Sequence, residues 1–206
     1  MSKMSKIKVG IIGVGNCAKS LVEGIQYYKT NPDDTVGLMY ESIGGYTVNE
    51  IEFVVGFDVD RRKVNKPLVD ALRAAPNCAM DHVEEILENG SNTSGCVKKG
   101  AMVYSGPELD GVAPHMLDYP EEVSFRTGAE AAKSFDDIVN IVKDTEVDVL
   151  INYAPVGSEK LSKFYIDVAL KAGVHFVNCI PTVISTKDTK RIEQKFIDAG
   201  LTIVGS

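Results

Sequence analysis

A doubly wound α/β fold, in which helices cover both faces of a mainly parallel sheet, is the class that this 206-residue sequence predicts. Short runs rich in β-branched residues alternate with helical patterns of about ten to fifteen residues. A helix that crosses between neighbouring strands lets them run parallel, so this alternation favours right-handed crossovers within one sheet. A glycine-rich turn after the first run is a further indication, because such turns open the first helix of this fold.

The first predicted unit is a strand, a tight turn and a helix. Residues 6–12 (KIKVGII) are a β-branched run that ends at a glycine, and residues 16–28 carry apolar side chains at helical spacing. Residues 31–49 are rich in Asp, Gly, Thr and Tyr, which is typical of a loop. The second predicted strand, 51–57 (IEFVVGF), then ends at Asp58.

Residues 61–133 have the least regular pattern of the chain. Within them we expect a short helix at 81–88 and a short strand at 102–104. We interpret the loop at 31–49 and the stretch at about 77–130 as insertions into a single sheet domain.

Regular alternation of helices and strands returns in the C-terminal part. Ser134, with Asp137 three residues later, predicts a capping box, and Ser158 is well suited to cap the helix that begins there. The predicted elements are a helix at 134–143, a strand at 147–153, a helix at 158–172 that Gly173 ends, a strand at 174–180, a helix at 187–199 that Gly200 ends, and a strand at 201–204.

Composition excludes several classes of partner. The net charge of −7 gives no electrostatic reason to bind nucleic acid or an anionic membrane surface. The sequence has no apolar run of about eighteen residues, and residues 1–8 lack the pattern of a signal peptide. Four cysteines without a CxxC pair favour reduced thiols. We therefore expect a cytoplasmic protein with neither nucleic-acid nor membrane partners.

The turn after the first predicted strand fits the G-x-G-x-x-G/A fingerprint of dinucleotide-binding domains. Gly13 would permit the tight turn, Gly15 would let the backbone approach the pyrophosphate, and Ala18 would keep the helix close to the strand. Backbone N–H groups at the helix start would then face the phosphates. Two glycines can also occur in any strand-to-helix turn, but the position between a strand and a helix favours the dinucleotide interpretation.

An acid at the end of the second predicted strand supports this interpretation. Asp58 would bind the ribose hydroxyls and would repel a 2′-phosphate, which favours NAD. It lies further along than the usual ~20 residues after the motif, so the loop between them must be an insertion. Arg61 and Arg62 follow closely and leave NADP as an alternative. Asp60 is interpreted as the start of a solvated helix that includes Arg61, Arg62 and Lys63.

Residues at the carboxyl ends of later strands are expected to border the nicotinamide half of the same cleft. Ser158 has helix capping as its alternative role, and Asn178 could be a buried amide that bridges strand ends. The predicted cofactor contacts are Gly13, Val14, Gly15, Asn16, Cys17, Asp58, Ala154, Pro155, Ser158 and Asn178.

The histidines are not persuasive as catalysts or metal ligands. Neither His82, His115 nor His175 lies in a nucleophile motif, and structural placement is expected for each. Cys78 and Cys96 do not combine with them at the spacing of a compact zinc site. The sequence contains no GxSxG, HExxH or Walker motif, so we predict no metal site and no hydrolase.

Five segments in order resemble the inositol-3-phosphate synthase family in its archaeal and actinobacterial branch. They are VGIIGVGNCAKSLVEGIQYY at 9–28, VVGFDVD at 54–60, VDVLINYAPVGSEK at 147–160, FVNCIP at 176–181 and IVGS at 203–206. This likeness spans nearly the whole chain and is more specific than the glycine fingerprint.

The resemblance implies a reaction that residue spacing does not show. The family converts glucose 6-phosphate to inositol phosphate, a step of inositol and phospholipid biosynthesis, without net oxidation. Bound NAD takes a hydride from the sugar, enolisation and an intramolecular aldol closure follow, and the cofactor returns the hydride. The resemblance also implies a homo-oligomer, a tetramer in the family.

The family pattern continues after the last strand, whereas this chain stops at Ser206. Family members add an Asp-Asp-x-Lys-Ser stretch and a large domain with the catalytic lysines and subunit contacts. We therefore expect residues 1–206 to be a Rossmann-type NAD-binding domain, inactive alone and without a complete second domain. The catalytic residues stay unassigned, because Lys160 and Lys163 fit a solvated helix face.

Three alternatives remain open from the sequence. The chain could be a naturally short relative that kept binding and lost the chemistry. It could belong to a different NAD-dependent oxidoreductase, or it could be a non-enzymatic module that senses a dinucleotide. For a domain cut from a longer enzyme we expect an exposed apolar patch.

Overall fold

In the computed structural model of the protein, residues 5–81, 95–112, 114–128, 132–182 and 190–205 are described. Within them, six strands form one sheet, and every neighbouring pair is parallel. The strands are β1 (Ile7–Ile12), β2 (Ile51–Asp58), β3 (Val103–Ser105), β4 (Val149–Asn152), β5 (His175–Asn178) and β6 (Ile203–Val204). Their order, β3-β2-β1-β4-β5-β6, confirms the predicted doubly wound fold.

The connections contain helices, as parallel neighbours require. The helices are α1 (Asn16–Thr30), α2 (Leu68–Arg73), α3 (Phe135–Asp144), α4 (Glu159–Ala172) and α5 (Lys190–Asp198), with 3₁₀ turns at Val48–Glu50 and Pro114–Asp118. Strand order reverses between β1 and β4, so the carboxyl ends of these two strands face a crevice between diverging connections.

Two apolar clusters hold the layers together. Ile11 belongs to the cluster formed with α1 and α2, whereas Ile12, the next residue of β1, belongs to the cluster formed with α3 and α4. Because consecutive strand residues point to opposite faces, the two clusters cover the two sides of the sheet. This burial on both sides explains why the strands read as continuous apolar runs.

Most of the predicted elements are confirmed, and the strands β1, β4, β5 and β6 are shorter than predicted. Ser134 and Asp137 form the predicted capping box at the start of α3, and Gly173 ends α4 in the left-handed conformation at φ +79°. The short helix α2 was not predicted. The predicted helix at 81–88 lies, apart from its first residue, outside the described residues.

The predicted loop at 31–49 contains no strand of the sheet and ends in the first 3₁₀ turn. Its apolar side chains Val36, Met39, Tyr40 and Ile43 are strongly exposed, Met39 to 90%. Among the described residues, no helix is both long enough and apolar enough to cross a membrane.

The two described histidines have structural surroundings. His175 begins β5, and its Nδ1 accepts the backbone N–H of Thr202 at 3.0 Å. His115 lies in the second 3₁₀ turn and contacts the ring of Tyr119. His82 lies outside the described residues. Nowhere in the described ranges do three or more His, Cys, Asp or Glu side chains group as metal ligands would.

Candidate cofactor site

A cleft of about 390 Å³ opens at the carboxyl ends of the central strands. The turn after β1 and residues that follow β4 and β5 contribute to its lining. Seven of the ten predicted contacts line the cleft, namely Gly13, Gly15, Asn16, Cys17, Asp58, Ala154 and Pro155. Val14, Ser158 and Asn178 are buried beside it and do not line it.

The two glycines of the turn are glycine for different reasons. Gly13 has φ +81°, and a Cβ there would lie 2.7 Å from the backbone oxygen of Tyr153. Its N–H donates to the carbonyl of Phe57 at 2.8 Å, which fixes the turn on β2. Gly15 has an extended φ of −95°, and among the described residues no atom beyond its chain neighbours and the adjoining helix backbone lies within 4 Å of where its Cβ would be. The fold itself therefore requires glycine at position 13 but not at position 15.

Asp58 connects β2 to the glycine turn. Its Oδ2 accepts the N–H of Val14 at 2.8 Å, and its Oδ1 accepts the N–H groups of Val59 and Asp60 at 2.8 and 2.9 Å. An ionised carboxylate accepts about four hydrogen bonds, so one acceptor position remains. Because Asp58 lines the cleft, that position is suited to a ligand hydroxyl.

Asp60 and the basic residues after it do not form a solvated helix, so that interpretation was wrong. Asp60 is fully buried and accepts two hydrogen bonds from the guanidinium of Arg62, at 2.9 and 2.6 Å. Arg62 also donates to the carbonyls of Glu121 and Ser124, and Arg61 pairs with the carboxylate of Glu121 at 2.9 Å. Both arginines that could have bound a 2′-phosphate are thus paired with acids.

The N-terminus of α4 is capped by a residue about fifty positions earlier in the chain. Ser158 occupies the N-cap position, but its hydroxyl donates to the carbonyl of Pro155 at 2.5 Å and makes no capping bond to the described helix α4. Instead, the carboxylate of Asp110 accepts the N–H groups of Lys160 and Leu161 at 2.8 and 2.9 Å. Burial raises the pKa of Asp110, but these bonds outweigh it and lower the pKa overall. The predicted cap at Ser158 was therefore wrong.

A buried pair of amides holds the segments that follow β4 and β5. The side-chain N–H of Asn152 donates to Oδ1 of Asn178 at 2.9 Å, and Asn178 donates to the carbonyls of Ile180 and Thr182. Asn152 also accepts the N–H of Ala154, a residue of the cleft wall, at 3.1 Å. Asn178 thus bridges strand ends, which was the alternative interpretation of this residue.

Two cysteine thiols and a phenol lie in the cleft. Cys17 and Cys179 are free and exposed there, beside Tyr153. Burial, followed by the neighbouring Cys179 thiol, raises the pKa of Tyr153 to about 12. Burial likewise raises the pKa of Cys179, so both groups are neutral at physiological pH and present a weakly polar wall.

Lys63 and Asn77 are site residues that sequence reasoning did not identify. The ammonium of Lys63 donates to the carbonyl of Val14, and Asn77 donates to the same carbonyl. Asn16 binds the two residues that follow Asn77, since its Oδ1 accepts the N–H groups of Cys78 and Ala79 at 2.9 Å each. No local pattern could have indicated these contacts, because the partners are about fifty or more residues apart in the chain.

No family model matches the chain. Over 98% of its length the chain is 41% identical to the inositol-3-phosphate synthase of Corynebacterium glutamicum, and over 97% it is 40% identical to that of Mycolicibacterium smegmatis. In both comparisons the chain spans about half the length of the curated relative, 50% in each case.

Two solved structures share the fold. One is described as the crystal structure of Ari2, with a TM-score of 0.76, 24% identity and coverage of 98% of this chain and 52% of that one. The other is a myo-inositol-1-phosphate synthase-related protein from Thermotoga maritima, with a TM-score of 0.69, 18% identity and coverage of 98% and 54%.

Proposed function

We propose that the chain belongs to the inositol-3-phosphate synthase family and binds NAD in the cleft. The identity of 41% and 40% to two such synthases, over about half the length of each, supports the family. The observation that carries the proposal is the glycine turn. Gly15 lies at the start of α1 and lines the cleft. The lack of a side chain at Gly15 leaves open space there, although the fold does not require glycine at this position. Backbone N–H groups at a helix start favour phosphate groups.

The residues present fit the parts of a dinucleotide. The pyrophosphate would lie over Gly15 and Asn16, and the remaining acceptor position of Asp58 would take a ribose hydroxyl. Ala154 and Pro155, which also line the cleft, would border the nicotinamide. The volume of about 390 Å³ falls within the ~300–1,000 Å³ of ordinary ligand pockets.

The same site favours NAD over NADP. The carboxylate of Asp58 would repel a 2′-phosphate, and Arg61 and Arg62 are paired with Glu121 and Asp60. Freeing the Arg62 guanidinium would leave the fully buried carboxylate of Asp60 without its cationic partner, which is unfavourable.

For the whole protein we propose the family's activity, the isomerisation of glucose 6-phosphate to inositol phosphate. NAD, when bound, supplies reversible hydride transfer. The described residues of this chain bind and orient the cofactor, and we propose that the catalytic residues lie in the half of the family's length that this chain does not span. A cytoplasmic location and a homo-oligomer belong to the same proposal.

Calorimetric titration with NAD and NADP tests the cofactor assignment. We expect the chain to bind NAD and to bind NADP at least about tenfold more weakly, because a charged hydrogen bond is exchanged for repulsion. Asp58→Ala should weaken NAD binding by a similar factor and narrow the difference between the two cofactors. Equal affinity for NAD and NADP in the unmodified chain would contradict the assignment of Asp58 to the ribose.

A further inference from the structure

Lys63 is a buried lysine that lies beneath the glycine turn. Its side chain is 1% exposed, and its Nζ donates to the carbonyl of Val14 and to Oδ1 of Asn77, at 2.8 Å each. Oδ2 of Asp58 lies 3.9 Å from the same Nζ. Burying an ammonium is unfavourable unless its donors are satisfied, so these contacts are what makes the position tolerable.

Asn77 completes the arrangement from a different segment. Its Nδ2 donates to the carbonyl of Val14 at 3.1 Å and to the carbonyl of Leu72 at 2.9 Å, while its Oδ1 accepts from Lys63. The Val14 carbonyl thus receives two side-chain donors, which engage both of its lone pairs. The two donors together therefore fix the direction in which the Val14 carbonyl points.

The consequence falls on Gly15. The carbonyl of Val14 and the N–H of Gly15 belong to one peptide unit, which is trans, so the two groups point in opposite directions. Since the carbonyl is held toward the donor atoms of Lys63 and Asn77, the N–H of Gly15 points away from those two atoms. Gly15 itself lines the cleft, as does part of the Lys63 side chain. If this peptide turned over, a carbonyl oxygen would face the place of the phosphates and repel them.

We propose that Lys63 and Asn77 are positioning residues that orient the Gly15 peptide for the diphosphate of the cofactor. The proposal rests on the proposed NAD binding and adds two residues to it. Val14 N–H is already engaged by Asp58, so the Gly15 N–H is the first donor of the turn that a phosphate could use. The ammonium also places a positive charge beneath the turn.

The test compares Lys63→Met and Asn77→Ala with the unmodified chain. Lys66→Met is the control, because Lys66 lies three residues after Lys63 and its side chain is exposed. Calorimetry measures the affinity for NAD, and ligand-observed NMR measures the affinity for adenosine, which lacks the diphosphate. We expect Lys63→Met to weaken NAD binding about tenfold or more and Asn77→Ala about threefold or more, with adenosine affinity changed less than about twofold. Lys66→Met should match the unmodified chain for both ligands.

Two results would overturn the proposal. One is unchanged NAD affinity in folded Lys63→Met and Asn77→Ala, and the other is an equal loss of NAD and adenosine binding, which a merely structural role would produce. If Lys63→Met does not fold, Asn77→Ala alone decides between these outcomes, since it keeps the Lys63 bond to Val14. Failure of the unmodified chain to bind NAD is a separate result that removes the proposed function and this inference with it.

Discussion

Gly13 and Gly15 show how two identical residues in one motif serve different ends. The left-handed backbone of Gly13 and the close approach of Tyr153 make position 13 a requirement of the fold. Position 15 has ordinary backbone geometry and open space around it, so the fold does not require glycine there, and we propose that cofactor binding does. Stability and binding can therefore be separated by substitution within a single turn.

Alanine substitutions should separate these roles in urea unfolding. Gly13→Ala places a Cβ in a left-handed conformation and against a carbonyl, and we expect it to destabilise the protein by about 2 kcal/mol or more. Gly15→Ala should lie within about 0.5 kcal/mol of the unmodified protein. A similar loss in both variants would mean that the turn is packed more closely than the structure has it.

The buried pair of Asp60 and Arg62 predicts a pH-dependent stability. Burial raises the pKa of Asp60, but hydrogen bonds from Arg62 and from the N–H of Arg126 outweigh it, so the pKa is lowered on folding. A carboxyl group with a lowered pKa stabilises the folded state above its unfolded pKa, and this contribution is lost as the pH falls through the folded pKa.

The corresponding measurement is urea unfolding of Asp60→Asn at several pH values. The variant should be less stable than the unmodified protein by about 3 kcal/mol near pH 7. The difference should begin to shrink as the pH falls below about 4, the ordinary pKa of an aspartate, and should continue to shrink toward the lowered pKa of folded Asp60. Asp167→Asn is the control, because Asp167 is exposed on α4. A stability difference that does not change with pH would contradict the assigned pair.

At the scale of the elements, the N-terminus of α4 depends on a residue far from it in sequence. Asp110 lies in the loop after β3, about fifty residues before the two N–H groups that it accepts. Its negative charge at a helix start is favourable both as a cap and toward the helix dipole. The loop after β3 and the helix after β4 are thereby joined where they meet the cleft.

Removing the Asp110 carboxylate should destabilise the protein more than removing the hydroxyl of Ser158, the residue at the N-cap position of α4. We expect Asp110→Ala to lower the free energy of unfolding by about 1–2 kcal/mol, and Ser134→Ala, which removes a capping box on α3, by about 1 kcal/mol. Glu108→Ala, an exposed acid of the same loop, should have almost no effect. A larger loss of unfolding free energy for Ser158→Ala than for Asp110→Ala would contradict the assignment of Asp110 as the cap of α4.

The limits of sequence prediction follow from these contacts. Apolar runs and the glycine turn predict β1, α1, β2 and the C-terminal alternation, because their signals are local. Helix α2 has six residues and follows Pro67, so its pattern is too short to read. The position of Asp58 at the end of the second strand predicts that it lies at the cleft. Lys63 and Asp110 bind partners about fifty residues away in the chain, and no local pattern indicates such contacts.

At the scale of the whole molecule, one sheet brings the distant segments together. The parallel order with β1 and β4 at its centre places the glycine turn, Asp58 and the segment after β4 around a single cleft. The chain accounts for about half the length of the synthases that it resembles. The proposed binding of NAD can therefore be tested directly on this chain.

The most direct test is calorimetric titration of the chain and of its Gly15→Val variant with NAD, alongside their thermal unfolding. We predict that the unmodified chain binds NAD, whereas Gly15→Val unfolds at the same temperature but gives no binding, because its side chain fills the place of the pyrophosphate. A folded, unmodified chain that gives no binding signal with NAD would contradict the central claim.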